Sequence, residues 1–428
     1  MMLSNVSIAF LGLVDTAVVG HLSDPSYLAG IALATVLFDF LYWGVTFLRM
    51  GTTGITAQIH GAEDAARLRA TLRDALVVAA VLSLGMLVWR DTILAFGLGV
   101  LDGSDASTTH ASRYFVIKIW GAPGVLATMV FIGWLIGVQN GRAALLLAAL
   151  PCLLHAVLDI VLVVLLDFGI EGAASAALVT AYVSASLGAA LVRRELRRYP
   201  PVATSGWSFA AFRKLLSLNG NILLRTLCLI ATFAFFTKQG ASQGDTVLAA
   251  NAILLNFQML TALALDGFAN ALEALAGSAI GRSDRTAFVD AITVASVWSS
   301  VFAVGFAFMY AAGGSTLIAI LTDIDSVRGV AAEYLPWAVV SPLISVWCFL
   351  FDGIFIGGTK GREMRNSMLI AVLGVFVPSW YALQGYGNHG LWGAFMLFFA
   401  ARGLTMAWYF WRIDRRGDFV RHAERPGD

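Results

Sequence analysis

Short polar breaks divide the chain into apolar runs at 3–20, 28–50, 74–98, 114–138, 143–166, 170–192, 219–237, 247–276, 288–312, 331–357, 366–384 and 390–411. A helix needs about 20 apolar residues to cross a ~30 Å hydrocarbon core. The pattern therefore predicts an all-α polytopic membrane protein with twelve transmembrane helices. The one long polar connection is 193–217, RRELRRYPPVATSGWSFAAFRKLLS. Its Pro-Pro pair breaks helix, and a short amphipathic piece follows. It separates an N-terminal lobe of six helices (1–192) from a C-terminal lobe of six (218–412), with a tail at 413–428.

The halves resemble one another at a constant shift of 220 residues. GVQNGR (137–142) falls on GGTKGR (357–362), Gly133 on Gly353, and QIHGAED (58–64) on SAIGRSD (278–284). Six helices per half return the chain to the side where it began, so both halves run in the same sense. Parallel repeats about an axis along the membrane normal, with a cavity between them, are transporter geometry.

Composition sharpens this picture. The chain is 59% hydrophobic and 13% charged, against ~25% charged in soluble domains. Placing both termini in the cytoplasm puts 20 of the 28 basic residues on that side and leaves only Arg90, Arg113, Lys238 and Arg328 outside. The positive-inside rule thus predicts an inner-membrane protein with a cytoplasmic linker and cytoplasmic ends. A net charge of +1 gives no electrostatic case for nucleic acid. Cys152, Cys228 and Cys348 form no C-x-x-C pair, so neither a zinc site nor a disulfide framework is suggested. No P-loop or hydrolase motif occurs, which excludes direct ATP use and supports no enzyme reading.

The candidate chemistry lies inside the spans: Asp15, Asp39, Asp159, Asp266, Glu273 and Asp352, with Arg49, Lys118, Arg225 and Arg402. Ionisable groups there are functional candidates because the bilayer makes idle ones costly. Acids outnumber bases, so some carboxylates must be protonated, hydrated or bound to a cation. A carboxylate withdrawn from water favours its neutral form, which suits a proton carrier. His155 and Asp159 are four apart on one helix face, either as a working pair or as a structural one. Ser175 and Thr180 offer hydroxyls on the next helix. Asp266 and Glu273 lie two turns apart on another face, with Arg225 as a possible ion-pair partner. Asp39, among bulky aromatics, reads as structural.

The motifs GLVDTAVVGHL (12–22), FLRMGTTGITAQ (47–58), LDGFANALEALAG (265–277) and LFDGIFIGGTKGREMRNSM (350–368) resemble the DinF branch of the MATE (multidrug and toxic compound extrusion) transporters, over nearly the whole chain. The resemblance implies two six-helix bundles around a V-shaped cleft, and antiport of amphipathic, often cationic compounds against protons or sodium. It makes Asp15 the principal coupling carboxylate. The family's fifth-helix Asn-x-x-x-Asp falls on His155 and Asp159, with histidine replacing asparagine. Its sixth-helix threonine falls at Ala177, with Thr180 one turn on as the substitute. Asp352 matches the tenth-helix acid. Sodium-coupled relatives carry a seventh-helix carboxylate; 222–237 has none and holds Arg225 instead, so the coupling ion leans to H+ over Na+. The resemblance also implies more than a dozen residues ahead of Met1 in relatives, which leaves either a late start or a shortened first helix. The expectation is a proton-coupled antiporter acting as a monomer. Its substrate is an amphipathic small molecule, membrane lipid is its surround, and it carries no cofactor, metal or nucleic-acid partner. The rivals are a lipid-linked precursor flippase and a non-transporting membrane protein on an inherited fold.

Overall fold

A computed structural model describes residues 25–101, 104–201 and 209–420. The described residues form helices and no strand, and the chain divides into two compact units between Leu216 and Ser217.

In the first unit, α1 (Pro25–Gly44) and α2 (Phe47–Gly61) make one span broken at Val45 and Thr46, followed by α3 (Ala65–Val88) and α4 (Arg90–Leu101). Next come α5 (Asp105–Lys118), a single 3-10 turn, α6 (Ala122–Gly137), α7 (Gly141–Asp159) running into a π-helical segment (Ile160–Leu165), and α8 (Gly169–Leu196). The second unit is built on α9 (Phe209–Ala241), α10 (Asp245–Gly281), α11 (Arg285–Leu321) and α12 (Asp325–Gly357). It closes with α13 (Gly361–Leu369), a π segment (Ile370–Phe376), α14 (Val377–Leu383) and α15 (Gly387–Arg415). Among the described residues, ten stretches are long and apolar enough to cross a membrane, and the longest, Gly361–Arg415, holds two helical legs joined at Gly387. Eleven of the twelve apolar runs are thus helical, while 3–20, with Asp15, lies outside the described residues.

The helices run beyond the apolar runs, because hydropathy marks what lipid covers and hydrogen bonding marks where a helix ends. The short amphipathic piece of the 193–217 connection is the opening of α9. The largest extension is at 51–61, where Thr52, Thr53 and Thr56 are fully buried and Thr52 Oγ1 donates back to the Leu48 carbonyl at 2.7 Å.

The 220-residue shift reappears in the backbone. Left-handed residues occur in register at Glu63 and Ser283 (φ 55° and 56°), at Gln139 and Thr359 (62° and 54°), and at Asp167 and Gly387 (53° and 56°). The first four share one helix-ending bond pattern. Glu63 N–H donates to the His60 carbonyl and Asp64 N–H to the Ile59 carbonyl, and the same pair recurs at 283/284, 139/140 and 359/360. This is the Schellman arrangement, in which one left-handed residue satisfies two orphan carbonyls. The next residue then starts the following helix: Asp64, Asn140 and Asp284 each accept an N–H three residues on through the side chain. Each corner turns the chain between adjacent spans within three residues.

Close helix contacts repeat too. A Cβ on Gly133 would lie 2.5 Å from the Arg49 carbonyl oxygen, and one on Gly353 would lie 2.6 Å from that of Ala269. One turn on, the Cβ would sit 2.9 Å from the Thr53 carbonyl at Gly137 and 2.6 Å from the Glu273 carbonyl at Gly357. Both α6 and α12 therefore present Gly-x-x-x-Gly, which lets backbones meet where lipid gives no hydrophobic drive.

Candidate functional site

Pro151 sits inside α7 and removes one backbone donor; eight residues later the helix passes into the π segment. Between these irregularities lie His155 and Asp159, with side chains 6% and 3% exposed and Nδ1 3.6 Å from Oδ2. That separation is longer than a hydrogen bond yet short enough for strong charge coupling away from water. π-bulges occur often at functional sites. Here the segment begins at the residue after the buried carboxylate. Thr180, on the neighbouring α8, has a buried Oγ1 with no hydrogen-bond partner among the described residues, so it bonds to neither His155 nor Asp159. The structure thus joins His155 to Asp159 and leaves Thr180 apart.

Asp39 has a partner that the sequence did not reveal. It interacts electrostatically with Lys118, whose Nζ donates to Tyr114 Oη at 3.0 Å and lies 4.9 Å from the Phe38 and Tyr114 ring centres. A cation over two aromatic faces offsets part of its desolvation.

In the second unit the charges fall differently from the simple count of acids. Arg225 on α9 and Arg402 on α15 both donate to Asp352 Oδ2 on α12, and all three side chains are at least nine-tenths buried. Asp266 acts on both guanidiniums electrostatically, so the four groups sum to zero. Glu273 is 1% exposed at the α10–α12 contact beside Gly357. Arg225 therefore engages Asp352 directly, with Asp266 as a weaker neighbour. A separate polar network lies elsewhere along α10 and α15. Asn251 and Asn388 exchange side-chain bonds at 2.8 and 2.9 Å, and Trp392 Nε1 donates to Asn251 Oδ1 at 2.8 Å.

Two further buried carboxylates escaped the sequence reading. Asp74 is held by Arg73 at 2.9 Å. Glu195 accepts Asn140 Nδ2 at 2.6 Å and Arg198 at 3.2 Å. Beside it, Tyr199 Oη meets His60 Nδ1 at 3.0 Å. Burial and the Glu195 carboxylate push the Tyr199 phenol above its ordinary range, with Arg198 opposing. The strap after α8 looks solvated in sequence because it is polar; it folds back over the α2–α3 corner instead.

The MatE family model matches residues 1–161 and 222–381, two segments offset by the same repeat length. The chain belongs to the MatE family. It is 39% identical to DNA damage-inducible protein F of Escherichia coli K12, covering 97% of this chain and 91% of the relative. It is 28% identical to the probable multidrug resistance protein NorM of Rhizobium meliloti, covering 94% and 89%. A crystal structure of MATE in the bent conformation superposes with a TM-score of 0.89 at 19% identity, covering 98% of this chain and 94% of the other. The fold is thus the twelve-helix MATE fold, and the chain is a multi-pass membrane protein of a transporter family.

Proposed function

We propose that this MatE protein is a secondary antiporter of the inner membrane, with both ends cytoplasmic, that exports amphipathic cationic small molecules in exchange for protons. The reading is carried by one observation: a histidine and an aspartate, both withdrawn from water, 3.6 Å apart inside a membrane span. In the outward-facing state Asp15 and Asp159 take up protons, the pocket around them loses its negative charge, and the cationic substrate is released. In the inward-facing state proton loss restores the anionic site and substrate binds again. His155 supplies a second proton acceptor, which favours protons over sodium. Thr180 and Glu273 take supporting places, while Asp266 and Asp352 balance Arg225 and Arg402 in the C-terminal lobe. Transport by a single copy needs no cofactor. A flippase for phosphate-linked lipids would want free cationic groups, whereas Arg225 and Arg402 are turned onto Asp352.

The test is decay of an imposed pH gradient in inverted vesicles on adding a cationic dye. Wild type should dissipate the gradient, and Asp159→Asn and Asp15→Asn at equal expression should not. Dye-driven exchange that survives both substitutions would remove the N-terminal carboxylates from coupling.

A further inference from the structure

The first unit carries a groove of about 530 Å³ along one face of α3, within the ~300–1,000 Å³ usual for small-ligand sites. Arg69, Leu72, Arg73, Leu76, Val77 and Ala80 line it, with Leu196 of α8 as the opposite wall. The spacing of 3 and 4 places all six on a single stripe, and the order along the stripe separates charge from hydrocarbon. The two arginines lie at the end of the span and the aliphatic residues lie deeper. From Arg69 to Ala80 the rise is about 16 Å at ~1.5 Å per residue, close to half of a ~30 Å hydrocarbon core. The deeper end opens at the surface of the unit, since Val77 and Ala80 are exposed.

Charge at the shallow end is only partly neutralised. Arg69 donates to the carbonyls of Ala65 at 3.1 Å and of Leu196 and Tyr199 at 3.4 Å, and no carboxylate pairs with it among the described residues. Arg73 shares its charge with Asp74. Two guanidiniums against one carboxylate leave the rim cationic. We infer that this groove is a binding site for an anionic phospholipid, its phosphate on Arg69 and Arg73 and one acyl chain along Leu72, Leu76, Val77 and Ala80. Basic pockets at the membrane-facing ends of helices take such head groups, and a zwitterionic lipid lacks the net charge that the rim would select.

Native mass spectrometry of the full chain in mild detergent, titrated with phosphatidylglycerol or phosphatidylcholine, tests this independently of transport. Wild type should retain phosphatidylglycerol at several-fold higher occupancy. Arg69→Gln should lower that occupancy about fivefold, as expected for one interfacial charge, and Arg69→Lys should restore most of it. Ala80→Phe, which fills the groove on its exposed side without touching a charge, should lower occupancy as well. Equal retention of the two lipids by wild type would overturn the inference. So would phosphatidylglycerol loss in Arg69→Gln with none in Ala80→Phe, because a phosphate alone would then be held. Wild-type occupancy in both variants would also overturn it.

Discussion

Replacing Gly133 by alanine places a methyl group 2.5 Å from the Arg49 carbonyl oxygen and 3.2 Å from its carbonyl carbon, both backbone atoms. Ordinary contact begins at 3.4 Å, so α2 and α6 must part by about 0.9 Å at their closest point. Overpacking of this kind costs about 1–3 kcal/mol. Gly353→Ala meets the Ala269 carbonyl oxygen at 2.6 Å and should cost about the same. Gly305, inside α11, has nothing within 4 Å of an added Cβ, and there alanine should gain about 0.5–1 kcal/mol of helix stability. Apparent melting temperatures of the purified protein in one detergent would measure all three. The expected outcome is several degrees lost at Gly133 and Gly353 to similar extents, and a small gain at Gly305. Wild-type melting for Gly133→Ala, or an equal loss at Gly305, would refute the close-approach argument and the repeat built on it.

Further outcomes follow from the charged sites. Asp352→Asn leaves two buried guanidiniums without their carboxylate and should cost about 3–5 kcal/mol. Arg402→Met leaves Arg225 and Asp352 as a one-to-one pair and should cost less; denaturant titration would rank the two. Tyr199→Phe removes a neutral hydrogen bond worth about 0.5–1.5 kcal/mol. Because the folded state holds the Tyr199 phenol above its ordinary range, that contribution is full below the unfolded value of ~10. It should shrink as the pH rises through the folded value, and a stability difference that widens there would contradict the assignment. His155→Asn should slow exchange by removing one proton acceptor beside Asp159, read as slower dye-driven gradient decay at equal expression.

The repeat and the spans were legible because both are written in residues with no alternative use: apolar runs for lipid, and a polar corner after each Gly-ended helix. Even the Gly-x-x-x-Gly contacts stood in the sequence, as GWLIG at 133–137 and GIFIG at 353–357, with both glycines of each in register at the 220-residue shift. The pairing of charges was not legible. Arg225, Asp352 and Arg402 are 127 and 50 residues apart along the chain, and only the packing of three helices makes one carboxylate serve two arginines. Lys118 was visible as an intramembrane base, but its place beside Asp39 depends on how α5 meets α1. Glu195 and Tyr199 were hidden for the opposite reason, since a polar, basic stretch reads as solvated until it folds over a corner.

In the proposed cycle, substrate and proton compete for one anionic site in the N-terminal lobe. The most direct test of this competition is proton release on substrate binding, followed with a pH indicator on purified protein in weakly buffered detergent near pH 7. Addition of a cationic dye should release protons from wild type without any sodium requirement, and Asp159→Asn should release fewer while remaining folded. Dye binding with no proton release, or release unchanged in Asp159→Asn and in Asp15→Asn, would contradict the account.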